Sequence, residues 1–318
     1  ALYDLCEEWY DASPERLATL LDRHKALAAK KNEPIDPGIS AAPEALLSDA
    51  VKLPSLPQIY SEITAAVNNP KCSGKDIAEI VSKDTSLSAT LLKIVNSAYY
   101  GLAERVESLA YAAMALGSRQ VSSLALGITV VNHFKGIDNP KADMESFWRH
   151  SVATAIAAKT LAGYLEGVDP ERVFIGGLLH DIGWLVFLHT CPEECNQVFH
   201  KSRMLGVNLF LVEKKYFGLT HAEFGSRLAE NWNLSENLTA LIRCHHDRFR
   251  TPPSREVAVV YAANWLMDAI GIGFSGEQMM PRLDMAAWDA LGVSPSVISP
   301  TVKQVDRQVM ETVRFFHE

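Results

Sequence analysis

Strand-like alternation is what this chain has least of. No run of alternating β-branched residues bounded by hairpin turns occurs, which leaves no basis for a sandwich, a barrel or a parallel sheet. An excess of positive charge is missing as well. The 30 Lys and Arg stand against 38 Asp and Glu, a formal net charge of −8, so the counterion-releasing surface of a non-specific nucleic-acid binder is lacking. Uninterrupted apolar runs are short: the stretch 124–131 contains Gly127 and Thr129 and stops well before the roughly 18–20 residues of a membrane span. The N-terminus carries Asp4, Glu7 and Glu8 and not the basic-then-apolar layout of a signal peptide. The chain opens on Ala1, so further residues upstream are expected. Cysteines are few, odd in number and scattered (Cys6, Cys72, Cys191, Cys195, Cys244), which suits reduced thiols in a cytoplasmic protein better than a disulfide framework. Cys191 and Cys195 have no second Cys/His pair at zinc-ribbon spacing and read as ordinary thiols. There is no repeat of fixed period and no low-complexity tract.

What is present is helical periodicity, in 318 residues of which 48% are hydrophobic and 21% charged. That is the composition of a globular chain long enough to bury its own core, and the expected fold is all-α. Residues 1–49 read as a helical extension rich in Leu, Ala and Lys, punctuated by Asn32-Glu33-Pro34-Ile35-Asp36-Pro37-Gly38. Leu53-Pro54-Ser55-Leu56-Pro57 opens a domain expected over 50–270. Its first half, 50–136, shows helix faces at Ile59, Ile63 and Val67, at Ile77, Ile80 and Val81, and at Leu87, Leu91, Ile94 and Val95. The break Gly136-Ile137-Asp138-Asn139-Pro140 separates it from a histidine-rich half, 137–270. Residues 271–318, with Gly271, Gly273, Gly276 and Pro281, read as a long loop followed by packing helices.

The chemistry lies in the second half. Phe147, His150, Thr154, Ala158 and Leu161 share one helix face, so His150 sits on a stripe that should be buried. In Ile175-Gly176-Gly177-Leu178-Leu179-His180-Asp181-Ile182-Gly183 the apolar residues mark the core side, the glycines allow close approach of another element, and His180 and Asp181 flank the stripe. On one continuous helix those two side chains diverge by about 100°, so they should not grip a single point, although a carboxylate with two oxygens can serve two ions. Thr220-His221-Ala222-Glu223 has the pattern of a capping box, with His221 in the first turn. Ser235 caps a helix on which Leu238, Leu241, Ile242 and His245 share a face, and His246 borders it. A lone inward histidine is ordinarily a core residue bonded to a carbonyl. The gathering of this whole set on inward faces has no packing rationale and matches metal sites in helical bundles. Imidazole and carboxylate ligands suit Fe, Mn, Zn or Ni. His24, His133, His189, His200 and His317 have no such company.

Taken with Asp84-Thr85-Ser86-Leu87-Ser88, Val95-Asn96-Ser97-Ala98-Tyr99-Tyr100-Gly101, Ala115-Leu116-Gly117 and Trp148-Arg149-His150-Ser151, these motifs resemble the HDOD family, the HD-related output domains of bacterial signalling proteins. That family is distantly related to HD-superfamily metal-dependent phosphohydrolases. The resemblance covers roughly 53–269. It implies an N-terminal helical half packed on an HD-like half, and a role in signal transduction with a signalling protein or a small ligand, a nucleotide included, as partner. It also implies His150, His180, Asp181, His221, His245 and His246 as metal-type ligands. The chain departs from the HD enzymes at Ala262-Ala263-Asn264-Trp265, where they place an aspartate. Asn264 is neutral and a weaker ligand, and Asp268, one turn later, is the expected substitute. The reading is a cytoplasmic regulatory module with a metal site and weak or no hydrolase activity. The alternative is a metal-dependent phosphohydrolase acting on a nucleotide or cyclic dinucleotide, with Arg149, Lys214, Lys215 and Arg243 as the nearest basic residues for phosphate.

Overall fold

The computed structural model describes residues 57–317 except 68–71, 98–99, 101, 103, 135–142, 248, 250, 278 and 281. The helical extension expected in 1–49, the opening motif at 53–56, the break at 136–140 and His24 lie outside the described residues. Among those residues there are helices and no strands. They divide into two units, Pro54–Gly136 with Arg307–Glu318, and Ile137–Asp306.

The first unit runs through α1 (Gln58–Val67), α2 (Gly74–Ser82), α3 (Thr85–Val95), α4 (Leu109–Leu116) and α5 (Ser118–His133). Small polar residues start these helices. Ser73 forms a capping box with Asp76, Asp84 accepts from the Leu87 amide, and Ser108 accepts from Tyr111. Helix α5 is buried almost continuously from Val121 to Val131, and α1 to α4 all pack on it. The Asn96 side chain acts as a clamp: its amide donates to the Val106 carbonyl at 2.8 Å and its oxygen accepts from the Val106 amide at 2.7 Å. The Asn96 motif thus ties the end of α3 to the segment before α4, a structural task within this unit.

The second unit holds α6 (Met144–Ala162), α7 (Pro170–Leu179), α8 (Ile182–Thr190), α9 (Pro192–Leu205), α10 (Leu209–Phe217), α11 (His221–Asn231), α12 (Glu236–Cys244), α13 (Arg255–Ile270) and α14 (Met285–Leu291). After a short 3-10 turn, α15 (Ile298–His317) begins in this unit and passes to the other after Asp306. Helix α6 is buried on nearly every side because its middle is built from Ala153, Ala155, Ala157 and Ala158, small enough for α7 and α13 to lie close. A Cβ on Gly177 of α7 would stand 2.8 Å from the Ala155 Cα. The stretch Pro170–Thr190 contains an 18-residue window apolar enough, at mean hydropathy 1.4, to pass for a membrane span, yet 89% of that window is buried inside the protein. It is the core of this unit, interrupted at His180 and Asp181.

Candidate metal centre

Each candidate ligand stands at a place where a helix begins, ends or is most deeply buried. His150 lies in α6, His180 and Asp181 at the junction of α7 and α8, His221 on the first turn of α11, His245 and His246 just beyond α12, and Asn264 in the middle of α13. The capping box at Thr220 is formed, with the Thr220 hydroxyl accepting from the Glu223 amide and the Glu223 carboxylate accepting from the Thr220 amide. His150, His180, Asp181, His221, His245 and Asn264 are each at most 2% exposed, and His246 is half-buried.

The tips of these side chains meet. Asp181 Oδ2 is 3.1 Å from His180 Nε2 and 4.0 Å from His150 Nε2. Asp181 Oδ1 is 3.2 Å from His221 Nε2 and 3.3 Å from His245 Nε2. The expected divergence of His180 and Asp181 is therefore overturned. Helix α7 ends at Leu179 and α8 begins at Ile182, so both residues lie in the turn between the helices, where the His180 imidazole reaches its neighbour's carboxylate. Two sets of ligand atoms close enough to share an ion result, His150 with His180 and Asp181, and His221 with His245, His246 and Asp181. Asp181 belongs to both.

The tautomers follow from the outward-facing nitrogens. A neutral imidazole has one N–H and one lone pair, and a carbonyl or carboxylate can only accept. Nδ1 of His180 faces the Gly177 carbonyl at 2.7 Å, Nδ1 of His245 the Ile242 carbonyl at 2.6 Å, and Nδ1 of His150 the Ile272 carbonyl at 3.2 Å. Nδ1 of His221 faces both oxygens of Glu213 at 2.8 Å. When neutral, all four rings thus donate outward through Nδ1 and turn the Nε2 lone pair inward. There, His221 Nε2 and His245 Nε2 face each other at 3.1 Å, and His150 Nε2 faces Asn264 Oδ1 at 2.9 Å. His180 Nε2 and both oxygens of Asp181 have no hydrogen-bond donor. Acceptors packed against acceptors in a buried site need a positive charge among them, and imidazole nitrogen with carboxylate and amide oxygen is a donor set for Fe, Mn, Zn or Ni. The residues present fit such an ion.

Protons are the only substitute the chain itself can supply. Burial disfavours a charged His221, but Glu213 and Asp181 outweigh it and raise the imidazole to about 10. Burial lowers His245 to about 4. Burial also pushes Asp181 upward, and the imidazole of His180, with those of His221 and His245 beside it, holds it well below the usual carboxylate range all the same. Asp181 is therefore an anion waiting for a cation.

Asp268 does not take the place that Asn264 leaves. Its Oδ1 lies 3.9 Å from Nδ1 of His150, on the far side of the ring, and accepts from the Ser275 hydroxyl at 2.8 Å. One turn beyond Asn264 is too far round and along α13 to reach the inner face. Two of the basic residues expected for phosphate are paired with carboxylates, Arg149 with Glu145 at 3.0 Å and Lys214 with Glu223 at 2.7 Å. The arginine beside the centre is Arg282, which lines a cleft of about 400 Å³ with Phe210, His245, His246, Tyr261 and Asn264. The His246 ring stacks on Phe210 at 5.0 Å, so this histidine forms part of the mouth.

Sequence reasoning misses Glu213 and the Ile272 carbonyl. Glu213 leaves a signal: it lies on the apolar face of α10 with Leu209, Val212, Tyr216 and Phe217, and is wholly buried. A carboxylate on the outer nitrogen of a ligating histidine fixes its tautomer and strengthens it as a ligand. Glu213→Gln is expected to lower metal affinity about 10- to 100-fold with the fold intact. Titration against a chromogenic chelator measures this, and unchanged affinity would remove Glu213 from the centre.

Comparison with known proteins places the chain in a family. The model of the HDOD domain family matches residues 53–248. Over 204 residues the chain is 28% identical to an uncharacterised protein of Treponema pallidum (strain Nichols), covering 63% of this chain and 39% of that protein. The chain thus spans well under half of that relative's length. Among solved structures, an HDOD domain protein of unknown function from Geobacter sulfurreducens superposes with a TM-score of 0.72 at 26% identity, over 86% of this chain and 96% of that one. A candidate phosphohydrolase from Shewanella amazonensis SB2B superposes with a TM-score of 0.68 at 26% identity, over 86% and 98%. The family match takes in more than half of the chain and every candidate ligand but Asn264, and this protein belongs to the HDOD domain family.

Proposed function

We propose that the protein is a signal-transduction module of the bacterial cytoplasm whose buried centre holds divalent metal, with Asp181 serving both ligand sets, and that it acts on a signalling partner while hydrolysing phosphoesters weakly or not at all. The observation that carries this reading is the convergence of four buried imidazole Nε2 atoms on Asp181 and Asn264, with His180 Nε2 and both Asp181 oxygens left without a hydrogen-bond partner. When bound, a divalent ion would supply Lewis-acid polarisation of an anionic ligand's oxygens. The chain's own residues do the rest. The carbonyls of Gly177, Ile242 and Ile272 and the carboxylate of Glu213 hold the outer Nδ1 protons, so each ring is oriented with Nε2 facing inward. Asp181 is the single anion among the seven candidate ligands, and Asn264 adds an oxygen but no charge. A centre so poorly neutralised holds metal less firmly than one with a second carboxylate, which supports a sensing or structural role over turnover.

A second reading, a phosphohydrolase for a nucleotide or cyclic dinucleotide, is favoured by one observation. The cleft beside His245, His246 and Asn264 is lined by Arg282, a residue type that suits phosphate, and by the aromatic ring of Phe210. Elemental analysis of the purified protein, followed by assay of the metal-loaded form against a panel of nucleotides and cyclic dinucleotides, separates the two. Metal with little or no turnover is the expected result, and Asn264→Asp should bind metal about tenfold or more tightly because it restores a charge. Robust turnover lost in His180→Ala and Asp181→Ala would decide for the hydrolase.

A further inference from the structure

Away from the centre, α8 turns into α9 through Cys191, and one helical turn later stands Cys195. The Cys195 amide donates to the Cys191 carbonyl at 3.0 Å, which sets the two residues about 6 Å apart along the axis, within the span of Cα separations that a disulfide bridges. The Thr190 hydroxyl donates to the Cys191 sulfur at 3.8 Å. Packing alone explains a buried cysteine. It does not explain two buried cysteines one turn apart at the start of a 14-residue helix.

We propose that Cys191 and Cys195 form a redox-responsive dithiol, closed to an intramolecular disulfide by a hydroperoxide. The two sulfurs are inequivalent. Cys191 is 6% exposed and sits between the exposed Thr190 and Pro192 at the helix start, whereas Cys195 is fully buried. The hydrogen bond from Cys195, opposed by burial and helped by Thr190, favours the Cys191 thiolate, while burial keeps Cys195 protonated. The Cys191 thiolate attacks one peroxide oxygen, the O–O bond breaks, and a sulfenic acid and hydroxide (or alkoxide) result. The Cys195 sulfur then attacks the Cys191 sulfur, the S–S bond forms, the S–O bond breaks, and the departing hydroxide takes the Cys195 proton and leaves as water. Two thiols lose two electrons, and the peroxide gains them. The corner lies against the centre, since Trp184 of α8 stacks on Phe199 of α9 at 4.7 Å and on His221 at 5.7 Å.

The test uses the full chain, reduced, treated with hydrogen peroxide, denatured and alkylated, with peptides mapped by mass spectrometry. The peptide holding both Cys191 and Cys195 is expected two hydrogens lighter and unalkylated, and fully alkylated after dithiothreitol, while Cys72 and Cys244 remain alkylated throughout. In Cys195→Ser, a dimedone adduct should appear at Cys191. In Cys191→Ser, oxidation of Cys195 should slow at least about tenfold, because the reachable sulfur is gone. Both cysteines staying alkylatable in the wild-type chain, or pairing with another cysteine, or passing directly to sulfinic acid, would overturn the proposal, and none of these results depends on a variant folding.

Discussion

Asp181→Ala is expected to empty the centre, lowering metal affinity by more than about 100-fold and removing any stabilisation that metal gives the fold. Both ligand sets depend on this residue, one through each carboxylate oxygen, and no other anion stands on the inner face. Four neutral imidazoles and an amide would then face a divalent charge with nothing to neutralise it. For the wild-type protein at a metal concentration about 1,000 times the dissociation constant, binding adds roughly 4 kcal/mol to folding stability. A chelator should therefore lower the melting temperature of the wild-type protein and leave that of Asp181→Ala unchanged. Elemental analysis beside thermal unfolding checks both halves. A variant that retained stoichiometric metal would show that the ion, if any, is held elsewhere.

Gly183→Ala is expected to cost at least about 3 kcal/mol and to disturb His221 as well. Gly183 stands in the first turn of α8, where that helix crosses the start of α11. A Cβ there would collide with the His221 carbonyl oxygen and lie 2.8 Å from the Gly225 amide nitrogen. Both obstacles are backbone, which cannot swing aside as a long side chain would, so α8 and α11 must part. Parting them withdraws His221 from Asp181 and loosens the stacking of Trp184 on His221. Gly176→Ala makes a useful contrast, because its new methyl would meet the movable side chain of Leu241 and should cost less. Urea unfolding ranks the two, and a Gly183→Ala variant as stable as the wild type would mean that the crossing is looser than the structure has it.

What could be read from the sequence depended on periodicity. His150 was legible because Phe147, Thr154, Ala158 and Leu161 mark its face, and His221 because Thr220 and Glu223 announce a helix start; both lie where those patterns put them. His180 and Asp181 were legible as residues but not as geometry. Nothing in the local composition signals that α7 stops at Leu179, since Ile182-Gly183-Trp184-Leu185 continues the apolar run. Asp268 misled for the opposite reason. One-turn spacing on a helix suggests equivalence, but the imidazole of His150 stands between that carboxylate and the inner face. Glu213 was hidden among Lys214 and Lys215, whose charges make the segment resemble an ordinary solvated helix face. The Ile272 carbonyl carries no side-chain signal at all.

The loop after α13 bears on how the protein should be cut for study. Ile272 holds His150 from outside, Phe274 donates its amide to the Ser146 carbonyl, and Gly273 sits so near the His150 backbone that no side chain fits there. A recombinant fragment ending with the family match at residue 248 would keep six of the seven candidate ligands yet discard Asn264 and this outer brace. His150 would then be free to rotate, its tautomer no longer set, and an absence of metal in such a fragment would report the position of the cut and not the chemistry of the intact chain.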